Sequence, residues 1–107
     1  MQKRIYLLST LLPTLGFLFA TPALSAEADL AKAEKVYKRS CATCHGKQGE
    51  KPAMGESKII NQLQPEEIST ALSERKAGNI TGAGSPAKQR LSEQDIHNLS
   101  EYIQTLK

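Results

Sequence analysis

Apolar residues recur at Leu30, Ala33, Val36, Tyr37, Cys41 and Cys44, the three-and-four spacing of one helix face. This predicts a first helix that runs into the two cysteines. From Gly46 to Asn61, glycines, Pro52 and mixed charges show no sustained period and predict a loop. Pro65 then suits a first helical position, Glu66 and Glu67 suit the positive end of a helix, and Ile68, Ala71 and Leu72 share a face before Gly78 stops it. Residues 78–90 hold Gly78, Asn79, Gly82, Gly84, Ser85 and Pro86, a second irregular segment of the kind that lines sites. The last helix has the clearest start. Ser92 is its N-cap, Asp95 is the capping-box partner, Leu91 can staple onto Ile96, and Ile96, Leu99, Ile103 and Leu106 form a stripe with Tyr102 beside it. No stretch alternates with period two for long enough to propose a strand. The pattern predicts a small all-α domain with three main helices.

Residues 1–26 follow a different plan. Lys3 and Arg4 open an apolar stretch from Ile5 to Ala20, and small residues follow around Ala23, Leu24, Ser25 and Ala26. This is the layout of a cleaved secretory signal peptide. The stretch is interrupted by Pro13 and Gly16 and falls short of the roughly 20 residues of a membrane span, so no transmembrane anchor is expected after cleavage. The expected domain is 27–107, and its expected destination is outside the cytoplasmic membrane.

Removing the leader changes the composition. The whole chain is 39% hydrophobic with a formal charge of +3. Residues 27–107 keep 12 basic against 11 acidic side chains, and their aromatic residues are only Tyr37 and Tyr102. The charge balance gives no reason to expect nucleic acid. The apolar inventory is thin for a domain of this size, which usually needs a disulfide, a metal or a similar aid. A bridge between Cys41 and Cys44 would close almost no loop, so it does not make up the shortfall.

The chemistry is concentrated at Cys41-Ala42-Thr43-Cys44-His45. In c-type haem attachment, two cysteine sulfurs bond covalently to the former vinyl groups of the haem, and the histidine after the second cysteine ligates iron. The pattern therefore reads as one haem c, with Cys41 and Cys44 as the thioether residues and His45 as the proximal iron ligand. A redox dithiol and a zinc site use the same residues. The dithiol would belong to a strand-bearing domain, and zinc would have to draw on Cys41, Cys44, His45 and the distant His97, with no second short pair. A porphyrin would also supply the missing apolar body.

The order of elements, the run Cys41 to Gly46, and the ending from Leu91-Ser92-Glu93-Gln94-Asp95-Ile96 to Tyr102-Ile103 resemble the small single-haem class I cytochromes c of bacterial periplasms. The resemblance spans about residues 28–107. It implies a haem wrapped by three main helices and a one-electron carrier between redox partners, without catalysis of its own.

The chain departs from that family at one position. The usual sixth ligand is a methionine in the irregular loop before the last helix, near Gly82, Ala83 or Gly84 here, and Asn79 to Arg90 contain no Met or His. Met54 is the only methionine after the leader. It is the candidate distal ligand, with flexible loop filler as the plainer reading. His97 reads as a solvated helix-face residue, and Lys88 could reach iron only as a neutral amine, which a solvated lysine resists. The alternative to a carrier is an open distal face, five-coordinate or water-bound, that takes CO, NO, O2 or peroxide. Lys32, Lys35, Lys38, Arg39, Lys47, Lys51 and Lys58 form either a solvated face or a positive surface that steers an acidic protein partner.

Overall fold

The computed structural model describes residues 27–107, together with Pro13 and Gly16. The signal-peptide expectation lies outside the described residues. Five helices follow in order: α1 Leu30–Ser40, α2 Ala42–His45, α3 Pro65–Lys76, α4 Ser85–Gln89 and α5 Glu93–Gln104. Two 3₁₀ turns, Ala53–Gly55 and Ile60–Gln62, lie between α2 and α3. The described residues contain no strand, and the architecture is the all-α one that the apolar pattern predicts.

Helix α1 begins at Asp29, whose carboxylate accepts from the Lys32 N–H at 2.9 Å, and Lys38 and Arg39 fall in its last turn, where cations favour the carbonyl end of the helix. It does not run unbroken through the cysteines. Cys41 takes φ −122°, ψ −40° and its N–H donates to the Tyr37 carbonyl, after which one further turn, α2, carries Cys44 and His45.

Helix α5 starts as its sequence prescribes. The Ser92 hydroxyl accepts from the Asp95 N–H at 3.0 Å, and the Ser92 N–H donates to the Asp95 carboxylate at 3.0 Å, which together satisfy two otherwise unpaired donors. Helix α3 has Pro65 in its first turn and the Gln64 N–H donating to Glu67 at 2.8 Å, and Gly78 follows it with φ +84°. Helix α4 departs from the expectation of an irregular 78–90 segment. Pro86 lies in its first turn and Gly84 is its N-cap; both residues mark loops in a sequence, yet both are tolerated at a helix start.

The core lies where α1 and α3 pack against α5. Its buried apolar residues are Ala33, Val36, Tyr37, Ile68, Leu91, Ile96, Leu99 and Ile103. The stripe on α5 is the predicted one, with Leu106 partly buried at its end. The Tyr37 and Tyr102 rings meet at 5.6 Å with planes inclined by 57°, a tilted arrangement favoured by the ring quadrupoles. Asn98 is buried inside this apolar seam, where its side-chain oxygen accepts from the Asp29 N–H at 2.9 Å and ties the start of α1 to α5. Between Cys41 and Ile68 the only fully buried residues are Gly46 and Gly49, while Ile60 and Leu63 pack partly buried against the core.

Leu99 is 1% exposed, and truncating such a residue in a small core costs about 2–5 kcal/mol. Leu99→Ala should therefore lower the urea midpoint far more than Ser92→Ala, which removes a cap and costs about 1 kcal/mol. Equilibrium urea titration followed by helical circular dichroism measures both changes.

Candidate functional site

The Cys41–His45 segment is held at both ends by Tyr37. Its backbone carbonyl accepts from the Cys41 N–H at 2.8 Å, and its hydroxyl donates to the Gly46 carbonyl at 2.7 Å. Gly46 closes the turn with φ +85°, a conformation that favours glycine. The Lys51 N–H then donates to the His45 carbonyl at 2.9 Å. Further along, Asn61 pins the loop, since its backbone N–H donates to the Gly49 carbonyl at 3.3 Å and its side-chain amide donates to the Gln48 carbonyl at 2.9 Å.

Within this frame the two thiols are unbridged, Cys41 half-buried and Cys44 exposed. Burial pushes the Cys41 thiol up, partly offset by the nearby Lys88 cation. His45 is half-buried, and burial followed by the Lys88 and Arg75 cations holds its imidazole below the ordinary histidine range. The ring is thus kept in the neutral form that metal coordination needs. Its Nδ1 is buried with no hydrogen-bond partner, a deficiency of about 1–3 kcal/mol in a protein interior.

These features discriminate between the chemistries open to the motif. Among the described residues no group of three or more His, Cys, Asp or Glu side chains is placed to hold a metal ion, so the thiols and imidazole do not converge on one point as a zinc site requires. Haem c requires no such convergence, because the sulfurs bond the edge of the macrocycle and only the imidazole meets the iron. Within residues 41–67 no apolar side chain is fully buried, which fits a flat apolar body against that segment.

The other sequence candidates lie apart. Met54 sits on the first 3₁₀ turn with φ +56° and is 77% exposed, although that turn packs beside α2. His97 is on the exposed face of α5. Lys88 is not the solvated residue expected from sequence: it is half-buried on α4, and burial together with Arg75 lowers its pKa. Sequence reasoning missed Arg75, on α3, whose charge reaches both His45 and Lys88; nothing in its spacing distinguishes it from a solvated helix residue.

The family match and the similar proteins agree on the affinity of the chain. Residues 28–103 match the family described as cytochrome c oxidase, cbb3-type, subunit III. Cytochrome c-553 of Helicobacter pylori strain ATCC 700392 / 26695 is 42% identical over 83 residues, which cover 77% of this chain and 86% of that protein. The c-553 of strain J99 / ATCC 700824 is 40% identical over 74 residues, covering 68% and 77%. Cytochrome c-554(547) of Halothiobacillus neapolitanus is 37% identical over 91 residues, covering 74% of this chain and 98% of its own.

Burial, more than any neighbouring charge, raises the Tyr37 phenol from 10.0 to about 12. A group whose pKa is raised on folding contributes stability below its unfolded value and loses it as pH rises toward the folded one. Alkaline titration should therefore show stability falling between pH 10 and about 12 as the Tyr37–Gly46 bond is lost. Tyr37→Phe should remove that part of the pH dependence and cost about 1 kcal/mol at neutral pH, both read from urea midpoints across the pH range.

Proposed function

Since the chain belongs to the cytochrome c family and carries covalently bound haem c, we propose that it is a one-electron carrier in the periplasm, with Cys41 and Cys44 holding the haem and His45 as the proximal iron ligand. The observation that carries the assignment is the His45 imidazole, kept neutral with a buried, unpartnered nitrogen on the same short turn as two unbridged thiols. When bound, the haem supplies the ferric–ferrous couple.

The polypeptide holds and shields that couple. Tyr37 and Gly46 fix the turn so that both thiols and the imidazole are presented in a fixed order. The core of α1, α3 and α5 backs the site on one side. A rigid scaffold of this kind suits electron exchange, which is fastest when little has to move.

The location rests on the signal-like residues 1–26 and on the absence, among the described residues, of any helix long and apolar enough to cross a membrane. The partner surface rests on charge. Of the seven cations between residues 32 and 58, Lys32 pairs with Asp95 at 3.6 Å and Lys38 with Glu34 at 2.6 Å. Lys35, Arg39, Lys47, Lys51 and Lys58 have no ion pair among the described residues, which leaves them to attract an acidic protein partner. The second reading, a haem protein that binds a small ligand, is favoured by the lack of Met or His in Asn79 to Arg90.

The haem should stay with the protein through acid-acetone extraction, and Cys44→Ser should reduce that retention. Free extraction from the unaltered protein would sink the assignment. A potentiometric titration should fit a single one-electron step with no peroxide turnover, whereas steady peroxide consumption would favour the second reading. The rate of oxidation by ferricyanide should fall as salt rises, and Lys47→Glu with Lys51→Glu should flatten that dependence; an unchanged slope would remove the steering role.

A further inference from the structure

The distal side of the haem is the part of the site that the family pattern does not supply. The loop position at which a methionine is usual falls near Gly82, Ala83 or Gly84. Gly84 has φ −86°, ψ 1°, a conformation open to any residue, so backbone geometry does not demand a glycine there. Its effect is on space. A Cβ added at Gly84 would stand 2.6 Å from Lys88 Nζ and 3.5 Å from Lys88 Cε. Lys88 lies one turn further along α4 and runs back toward the N-terminus of that helix, the direction helical side chains take. Its amine thus occupies the volume that a side chain at residue 84 would fill.

Two further observations bear on what that amine faces. Lys88 is half-buried, and among the described residues no carboxylate pairs with it. Its charge acts on both cysteine thiols and on the His45 imidazole, which locates the amine close to the haem-binding turn. Half-buried and without a carboxylate partner, the ammonium form is denied water and gains no anion in return. A primary amine in such a place is stabilised by giving its lone pair to a metal.

We propose that Lys88 is the distal ligand of the haem iron, its amine standing in the space that Gly84 leaves open. Coordination transfers the ammonium proton to solvent and forms one nitrogen–iron bond; no electron is exchanged. Met54, exposed on the first 3₁₀ turn, is the competing ligand. The inference rests on the attachment at Cys41, Cys44 and His45, which acid-acetone retention tests separately.

The experiment uses the haem-loaded protein and reads the ferric spin state by electron paramagnetic resonance and CO binding to the reduced protein. The unaltered protein should be low-spin and slow to bind CO. Lys88→Ala should lose the low-spin signal and bind CO rapidly, and Lys88→Arg should behave the same way, because a guanidinium keeps the charge but is not deprotonated in proteins. Met54→Ala should leave the signal unchanged. A high-spin unaltered protein, or a low-spin signal retained in Lys88→Ala or Lys88→Arg, overturns the proposal, and loss of the signal in Met54→Ala transfers the role to Met54. Should the Lys88 variants fail to retain haem, the unaltered protein grown with isotopically labelled lysine decides: hyperfine coupling of the labelled nitrogen to the ferric iron is expected, and its absence rejects ligation.

Discussion

Both ends of the haem-binding turn hang on Tyr37. Its carbonyl receives the Cys41 N–H where α1 breaks, and its hydroxyl donates to the Gly46 carbonyl just beyond His45. The ring between these two contacts is fully buried and meets Tyr102 of α5. The orientation of the turn is therefore set by the packing of α1 on α5, since the ring cannot move without disturbing Tyr102 and the buried core it belongs to. The hydroxyl bond lies in a site closed to water, and without the phenol the carbonyl of Gly46 would keep only the Gly49 N–H at 3.2 Å.

This arrangement explains why the core is lopsided. Every buried apolar side chain belongs to α1, α3, α5 or Leu91, and the chain from Cys41 to Glu67 buries only two glycines. In a loop of that length with no fully buried apolar side chain, Ile60 and Leu63 pack partly buried against the core and backbone and amide hydrogen bonds, the Asn61 pair among them, hold the rest. Such bonds define a path but contribute only about 1 kcal/mol each. The haem, when bound, would supply apolar surface that the low aromatic content of residues 27–107 leaves wanting.

Where local chemistry decides the structure, the sequence is easily read. The Ser92–Asp95 box, Pro65 at the head of α3 and the stripe on α5 depend on residues within a few positions of one another, and all appear as their spacing implies. The motif residues are legible for a similar reason, being contiguous. Three features depended on distant neighbours and could not be read. The break at Cys41 keeps the helical period; α4 opens with Gly84, Ser85 and Pro86, which signal a loop; and Lys88 looks solvated until α4 is placed beside the motif. Arg75 belongs with these, because its relation to His45 exists only in three dimensions.

The crevice around His45 then contains two opposing influences on an iron couple. Arg75 lies near the imidazole with no carboxylate paired to it among the described residues, and positive charge disfavours the more positive ferric state. Against this, the loop from Asn79 to Arg90 lacks the methionine that raises the potential in related sites. The two effects act through different media. A ligand acts through its bond to the iron, whereas the charge of a half-buried arginine is weakened by the dielectric and by salt. Ligand identity therefore dominates. With the proposed nitrogen ligand the site would have a lower potential than one with methionine, and Arg75 would only moderate the difference.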